Sequence, residues 1–246
     1  MELEVDYEVV TISCHRCGHV NIYNKADDLD DRDDVAGIER PCQNPDCPEI
    51  IRIPMETANP AYELFLFDAG WYRRRKRHMQ AVAMLAQAFE MYFALGVEVM
   101  LIHHPWNATG RTDQAAAEDV ASRLFGKTKK FAYAKMCNLF INLAARPRPS
   151  TFAEAEALLL RIETLASISE ANRAIAAVAD ADIAALLTQL RDLPLPSLRN
   201  RVLHKRAYRP RAAEVDECLK PAHHLTSQLW IRLNLSESLR GEGLGA

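Results

Sequence analysis

The sequence predicts a mainly α protein: an antiparallel helical bundle preceded by a small β module. Three observations predict it. Past residue 60, apolar side chains recur at spacings of three and four. Before residue 58, short β-branched runs alternate with two pairs of cysteines. The charge also changes sign between the two parts. Residues 1–58 carry 14 Asp/Glu and 5 Lys/Arg, a net of −9. Residues 59–246 carry 19 and 25, a net of +6. Such a reversal suggests modules with different tasks, residues 1–58 and residues 59–246.

Composition sets the outer limits. The 246 residues are 49% hydrophobic and 26% charged, close to an ordinary globular chain. With 9 Gly and 12 Pro, collagen-like and low-complexity architectures are excluded. A net charge of −3 excludes a uniformly basic nucleic-acid coat, so any polyanion surface must be local. The opening Met1-Glu2-Leu3-Glu4 has neither the basic nor the apolar region of a signal peptide. The most apolar stretch, Gln80 to Ile102, is interrupted by Gln87, Glu90 and Glu98. A membrane span needs about 20 mostly apolar residues, so a buried helix and no membrane association are expected. The expected location is cytoplasmic, where thiols stay reduced and cysteines serve metals more often than disulfides.

The elements follow in order. Residues 5–13 read as a strand, Cys14 to His19 as a tight turn, and Val20 to Tyr23 as a second strand. Asp27 to Asp34 holds six Asp in eight positions and reads as a solvated loop. Cys42 to Cys47 forms a second turn, Ile50 to Pro54 a third strand, and Met55 to Pro60 a linker. A long helix is expected from about Trp71 to Ile102, with Val82, Leu85, Ala86, Phe89, Tyr92, Phe93 and Val97 on its apolar stripe. Further helices are expected over 115–125, 128–145, 151–166 and 169–191. Leu193-Pro194-Leu195-Pro196 breaks the chain. Ser197 would cap a helix from Leu198 that Pro210 ends, and a last helix spans 212–238.

The spacing Cys14-x2-Cys17 and Cys42-x4-Cys47 suits a tetrahedral metal site. Two cysteines on one knuckle aim at one ion, and a second knuckle closes the shell. Gly18 permits the reversal the first knuckle needs. A module this small, with little apolar content, needs a staple. Paired knuckles on short strands look like a zinc ribbon, which makes Zn2+ the expected structural cofactor. The second spacing is wider than the usual Cys-x2-Cys, and a longer turn around Pro45 absorbs it. Two disulfides or free thiols are the alternative, as is replacement of one ligand by His15 or His19. A four-cysteine shell is coordinatively closed, so no catalytic metal is expected. Cys137 and Cys218 sit on apolar helix faces and read as buried small hydrophobes.

The segment Leu198-Arg199-Asn200-Arg201-Val202-Leu203-His204-Lys205-Arg206 lies in an acid-free stretch between Asp192 and Glu214. Arg201, Lys205, Arg206, Arg209 and Arg211 there could dock RNA. Arg199-Asn200-Arg201-Val202-Leu203-His204 matches the Arg-x4-6-His motif, including the polar residue after the Arg, and so resembles HEPN domains. The likeness covers these six residues in motif and about residues 70–240 in layout. It implies a helical bundle that dimerises and a metal-independent RNase site in which Arg199, Asn200 and His204 face a cleft shared by two protomers. It also implies a role in a toxin–antitoxin or antiviral defence system, with an antitoxin or defence protein as a further partner. RNA supplies its own nucleophile, the 2′-OH. An imidazole can take that proton and a guanidinium can hold the crowded phosphate, while Asn200 orients the imidazole or donates to phosphate. The expected products are a 2′,3′-cyclic phosphate and a 5′-OH. On an ideal helix, Asn200 and His204 share a face, whereas Arg199 and His204 lie about 140° apart. A loosened first turn, or a second protomer, would have to bring them together.

Other readings stay open beside this one. The motif could be an ordinary charged surface helix, and the chain a non-catalytic adaptor that binds RNA or a protein partner. A DNA-binding regulator using the β module is disfavoured by its charge of −9. A second Arg-x4-His, Arg73 to His78, lacks the Asn and reads as a solvated basic helix start. Glu90 either pairs with a basic residue across the bundle or reaches the cleft beside His204. His103-His104 and His223-His224 read as histidines bound to helix-end carbonyls rather than metal ligands. Lys127-Thr128-Lys129-Lys130 either extends the basic surface or is a solvated helix start.

Overall fold

The computed structural model describes residues 9–24, 38–53, 61–205 and 208–235. Two antiparallel hairpins form the N-terminal module. Strands β1 (Val9–Ser13) and β2 (Val20–Asn24) pair with Ser13 opposite Val20. Strands β3 (Ile38–Pro41) and β4 (Ile50–Ile53) pair with Pro41 opposite Ile50. β3 is missing from the sequence reading, because Ile-Glu-Arg-Pro is too short and charged to announce a strand. Residues 5–8 of the first expected strand, the loop Asp27 to Asp34 and the linker lie outside the described residues.

The rest is helical: α1 (Ala61–Arg74), α2 (His78–Glu98), α3 (His104–Ala108), α4 (Gln114–Thr128), α5 (Tyr133–Ala144), α6 (Phe152–Leu160), α7 (Ile162–Leu165), α8 (Ile168–Ala176), α9 (Ala181–Asp192), α10 (Leu195–His204) and α11 (Ala212–Arg232). The single helix expected over Trp71 to Ile102 is therefore two. The break is a Schellman turn: Arg77 N–H donates to the Tyr72 carbonyl (2.9 Å) and Lys76 N–H to the Arg73 carbonyl (3.1 Å). Lys76 takes the left-handed position, φ +59°, that glycine usually fills. With no glycine there, the sequence carries no stop signal.

Nor does the helix end at His103-His104. A π-helical turn, Val99–His103, joins α2 to α3. It lies just ahead of Pro105, which lacks the N–H an α-helix would use. The helix expected over 169–191 is also split, because Asp180 accepts from the N–H groups of Asp182 and Ile183 and starts α9 afresh. α10 begins at Leu195 with Pro196 in its first turn and stops at His204, so Ser197 is inside the helix rather than its cap, and Pro210 is not its terminator.

α2 is the axis of the bundle, and α1, α5, α10 and α11 pack on it. Phe89, Tyr92 and Phe93 are fully enclosed. Tyr92 meets Phe140 of α5 at 5.2 Å between ring centres and Tyr62 of α1 edge-on at 5.1 Å. Its hydroxyl donates to the Thr226 carbonyl of α11 (3.2 Å), which satisfies the one polar atom it buries. Among the described residues one helical run, His78–Ala108, is long and apolar enough to cross a membrane, and 67% of its most apolar window is buried inside the bundle.

At Gly96, α2 and Phe140 of α5 are in close approach. A methyl group there would lie 2.5 Å from Phe140 Cε2, and the ring is walled in. Ala in place of Gly within a helix normally gains about 0.5–1 kcal/mol. Here overpacking of about 1–3 kcal/mol opposes it. Gly96→Ala is expected to lower the denaturation midpoint of the bundle; a rise would show that Phe140 has room to move.

Candidate functional site

The two knuckles bring four thiols together. The Sγ atoms of Cys14, Cys17, Cys42 and Cys47 all lie within 4.8 Å of one another. Cys14 and Cys47 are 3.9 Å apart and Cys17 and Cys42 are 3.7 Å apart. A tetrahedron with metal–sulfur bonds of about 2.3 Å requires sulfurs about 3.8 Å apart, whereas a disulfide requires about 2 Å. All four thiols are free, so the expected alternative of disulfides does not hold. The residues fit a metal ion.

Local bonding explains the fit. Gly18 (φ +72°) closes the first knuckle by donating to the Cys14 carbonyl at 2.9 Å. Cys42 N–H donates to the Glu49 carbonyl at 2.8 Å in the second. Buried Asn21 ties the hairpins: its amide donates to the Ile12 and His19 carbonyls, and its carbonyl oxygen accepts from Gln43 N–H at 2.6 Å. The Gln43 amide in turn pairs with both backbone groups of Ile22. His15 faces Glu49 at 3.2 Å rather than the sulfurs.

The thiols ionise unequally. The His19 backbone N–H lowers Cys17 to about 7. At Cys47 the Glu49 N–H pulls downward, but burial and the neighbouring thiols push it up to about 12. Crowded thiolates repel, and a cation among them removes that penalty. Cys137 and Cys218, by contrast, are buried thiols pushed up to about 12 by burial, as suits core residues.

α10 divides the motif residues between two faces. Leu195 and Leu198 are buried in the bundle, and α10 packs on α2. Arg199 lies on this side, where its Nη2 is 3.0 Å from Glu90 Oε1 on α2. Both side chains are less than 30% exposed. Glu90 thus takes the first of its two expected roles, pairing across the bundle. The other face holds an open depression lined by Pro196, Ser197, Asn200, Arg201, His204 and Lys205. Asn200 and His204 are exposed there, and Leu203 is 54% exposed. Within one chain the motif therefore does not converge: Asn200 and His204 share a surface and Arg199 does not.

The basic residues expected to bind RNA have different surroundings. Arg201 donates to Glu214 at 2.9 Å and stacks over Tyr208, 4.8 Å from the ring centre. Glu214 also accepts from Arg211 N–H at 2.8 Å and Tyr208 Oη–H at 2.6 Å. The Arg211 N–H, then Tyr208, hold its carboxyl below the usual range. Lys205, Arg209 and Arg211 are exposed, and Arg206 lies outside the described residues.

The second Arg-x4-His is not a solvated helix start. Arg73 ends α1 and makes a two-pronged pair with Asp216 of α11, 2.7 Å on both arms. His78 Nδ1 donates to the Pro210 carbonyl at 2.9 Å. These two contacts, invisible from spacing alone, bind the residues flanking the α1–α2 turn to α11 and to the segment ahead of it. His104 Nδ1 donates to the Pro149 carbonyl (2.9 Å) rather than to a helix-end carbonyl, and His223 stands mid-helix on α11, held below the usual histidine range by desolvation.

Arg73 holds the Asp216 carboxyl below its ordinary range. A depressed carboxyl stabilises above its unfolded pKa, and that stability is lost as pH falls through the folded value. Asp216→Asn should destabilise by about 1.5–3 kcal/mol at pH 7, and its deficit in urea melts should shrink as pH falls below about 4. A deficit independent of pH would mean the pair contributes no charge-dependent stability.

For the metal centre, elemental analysis of purified protein should find about one divalent ion per chain, and Cys42→Ala should release it. Far-UV circular dichroism should retain the helical signal, because the cysteine core and the helical core are separate clusters. Metal-free protein with an ordered N-terminal module would overturn this. No family model matches the chain, and no curated protein or solved structure is a match for it.

Proposed function

We propose that the chain is a homodimeric, metal-independent endoribonuclease of the HEPN type, cytoplasmic, with a structural zinc ion in its four-cysteine module. What carries the reading is the open α10 face, where an exposed imidazole, His204, sits beside the Asn200 amide and among Arg201 and Lys205. A helical bundle with this motif on a late helix is the layout the HEPN resemblance implies. His204 takes the ribose 2′-OH proton. The 2′-oxygen then bonds to phosphorus, the P–O5′ bond breaks, and the leaving oxygen is protonated by the imidazole of the second copy. Asn200 holds the imidazole or a phosphate oxygen. Arg199 exchanges Glu90 for the crowded phosphate as negative charge builds. Zinc suits the module because four thiolates in a closed tetrahedron favour it over harder ions.

A second reading has its own support. The Arg199–Glu90 pair leaves the guanidinium neutralised and turned from His204, which suits a non-catalytic adaptor that binds RNA, an antitoxin or a defence-system protein. End-labelled RNA incubated with protein in magnesium-free, EDTA-containing buffer separates the two. The nuclease reading expects 2′,3′-cyclic phosphate ends and a loss of about 10²–10⁴ in rate for His204→Ala, with RNA affinity nearly unchanged. Binding without cleavage in the parent chain, or cleavage that survives His204→Ala, overturns it.

A further inference from the structure

We propose that the α1–α2 turn and the segment ahead of α11 form one RNA-binding ridge continuous with the α10 face. The inference rests on the RNA reading above for its ligand, but not on cleavage. Six exposed cations carry it: Arg75, Lys76 and Arg77 in the turn, and Lys205, Arg209 and Arg211 in the segment. None has an acidic partner among the described residues. More than 125 positions separate the two groups in sequence. The Arg73–Asp216 pair and the His78–Pro210 hydrogen bond bring them side by side. Tyr208 N–H donates to the Lys205 carbonyl at 3.2 Å, which links this segment directly to the end of α10. Two acids at the start of α11 are already engaged: Glu214 by Arg201, Tyr208 and the Arg211 backbone, and Asp216 by Arg73.

Local folding does not account for the charges in the turn. Lys76 occupies a left-handed position where glycine or asparagine is preferred. Arg77 stands at the N-cap of α2 with no side-chain cap hydrogen bond, a place that favours Ser, Thr, Asp or Asn and where positive charge opposes the helix dipole. Arg75 lies over Trp71, its Cζ 3.9 Å from the ring centre, and so presents a cation beside an aromatic ring. The ridge leads into Ser197, Asn200 and His204, whose side chains can hydrogen-bond to bases and ribose. That polar continuation favours RNA over an anionic membrane.

The test replaces Lys76 and Arg77 by residues their positions prefer and Arg75 by a neutral Gln. R75Q/K76G/R77S removes three charges and should melt close to its parent, the gains at 76 and 77 offsetting the lost Arg75–Trp71 contact, which separates binding from folding. Both are made in a full-length His204→Ala chain to prevent cleavage. The probe is a fluorescein-labelled single-stranded RNA of about 20 nucleotides, read by anisotropy. The ridge predicts a Kd weakened about tenfold near 100 mM salt and a log Kd against log salt slope shallower by about 2, since each lost phosphate contact is worth about 0.7. K127Q/K129Q/K130Q, which removes three charges at the end of α4, should change Kd by less than about threefold. Equal losses in both variants, an unchanged Kd in the ridge variant, or no RNA binding by the parent overturns the proposal. So does loss of binding to vesicles of phosphatidylserine and phosphatidylcholine with RNA binding intact. Normal ridge behaviour with no cleavage by the unsubstituted chain supports the ridge and removes only the nuclease reading.

Discussion

The bundle depends on the burial of α2. Its aromatic residues are enclosed on several sides, so every helix packed against it must supply a complementary apolar face. Tyr92 shows how strict this is, since one ring touches α1 and α5 while its hydroxyl is satisfied by α11. Gly96 sets the distance to α5. Once α10 buries Leu195 and Leu198 in this packing, the direction of every other α10 residue is decided at about 100° per residue.

That constraint connects core to chemistry. Arg199 follows a buried leucine and falls beside α2, where Glu90 meets it. Asn200 and His204 fall outside. The motif is thus split by the same packing that holds its helix in place. A nuclease built on this helix must draw Arg199 away from a carboxylate, whereas an adaptor needs no such exchange. The β module depends on a different constraint. It has a small core of its own, and its two hairpins are joined by Asn21, Gln43 and four sulfurs spaced as a metal requires.

Much of this was legible from residue order. The β-then-α arrangement followed from periodicity, and the cysteine cluster followed from two short spacings on either side of an acidic run of sequence. Helix breaks were harder to read. The stop after α1 uses a lysine in a glycine position, and the split between α8 and α9 rests on an Asp cap within an alanine-rich run whose apolar period continues across it. The π turn reflects Pro105 resolved in place rather than by ending the helix.

By itself, then, the sequence determined the class of fold, the four clustered cysteines and which side chains share a helix face, because these depend on local spacing and chain geometry. Only the tertiary structure decided which groups meet across the chain: Arg199 with Glu90, Arg73 with Asp216, and His78 with Pro210. Those pairings join positions more than 100 residues apart. Helix packing selects them, and no periodicity along the chain encodes it.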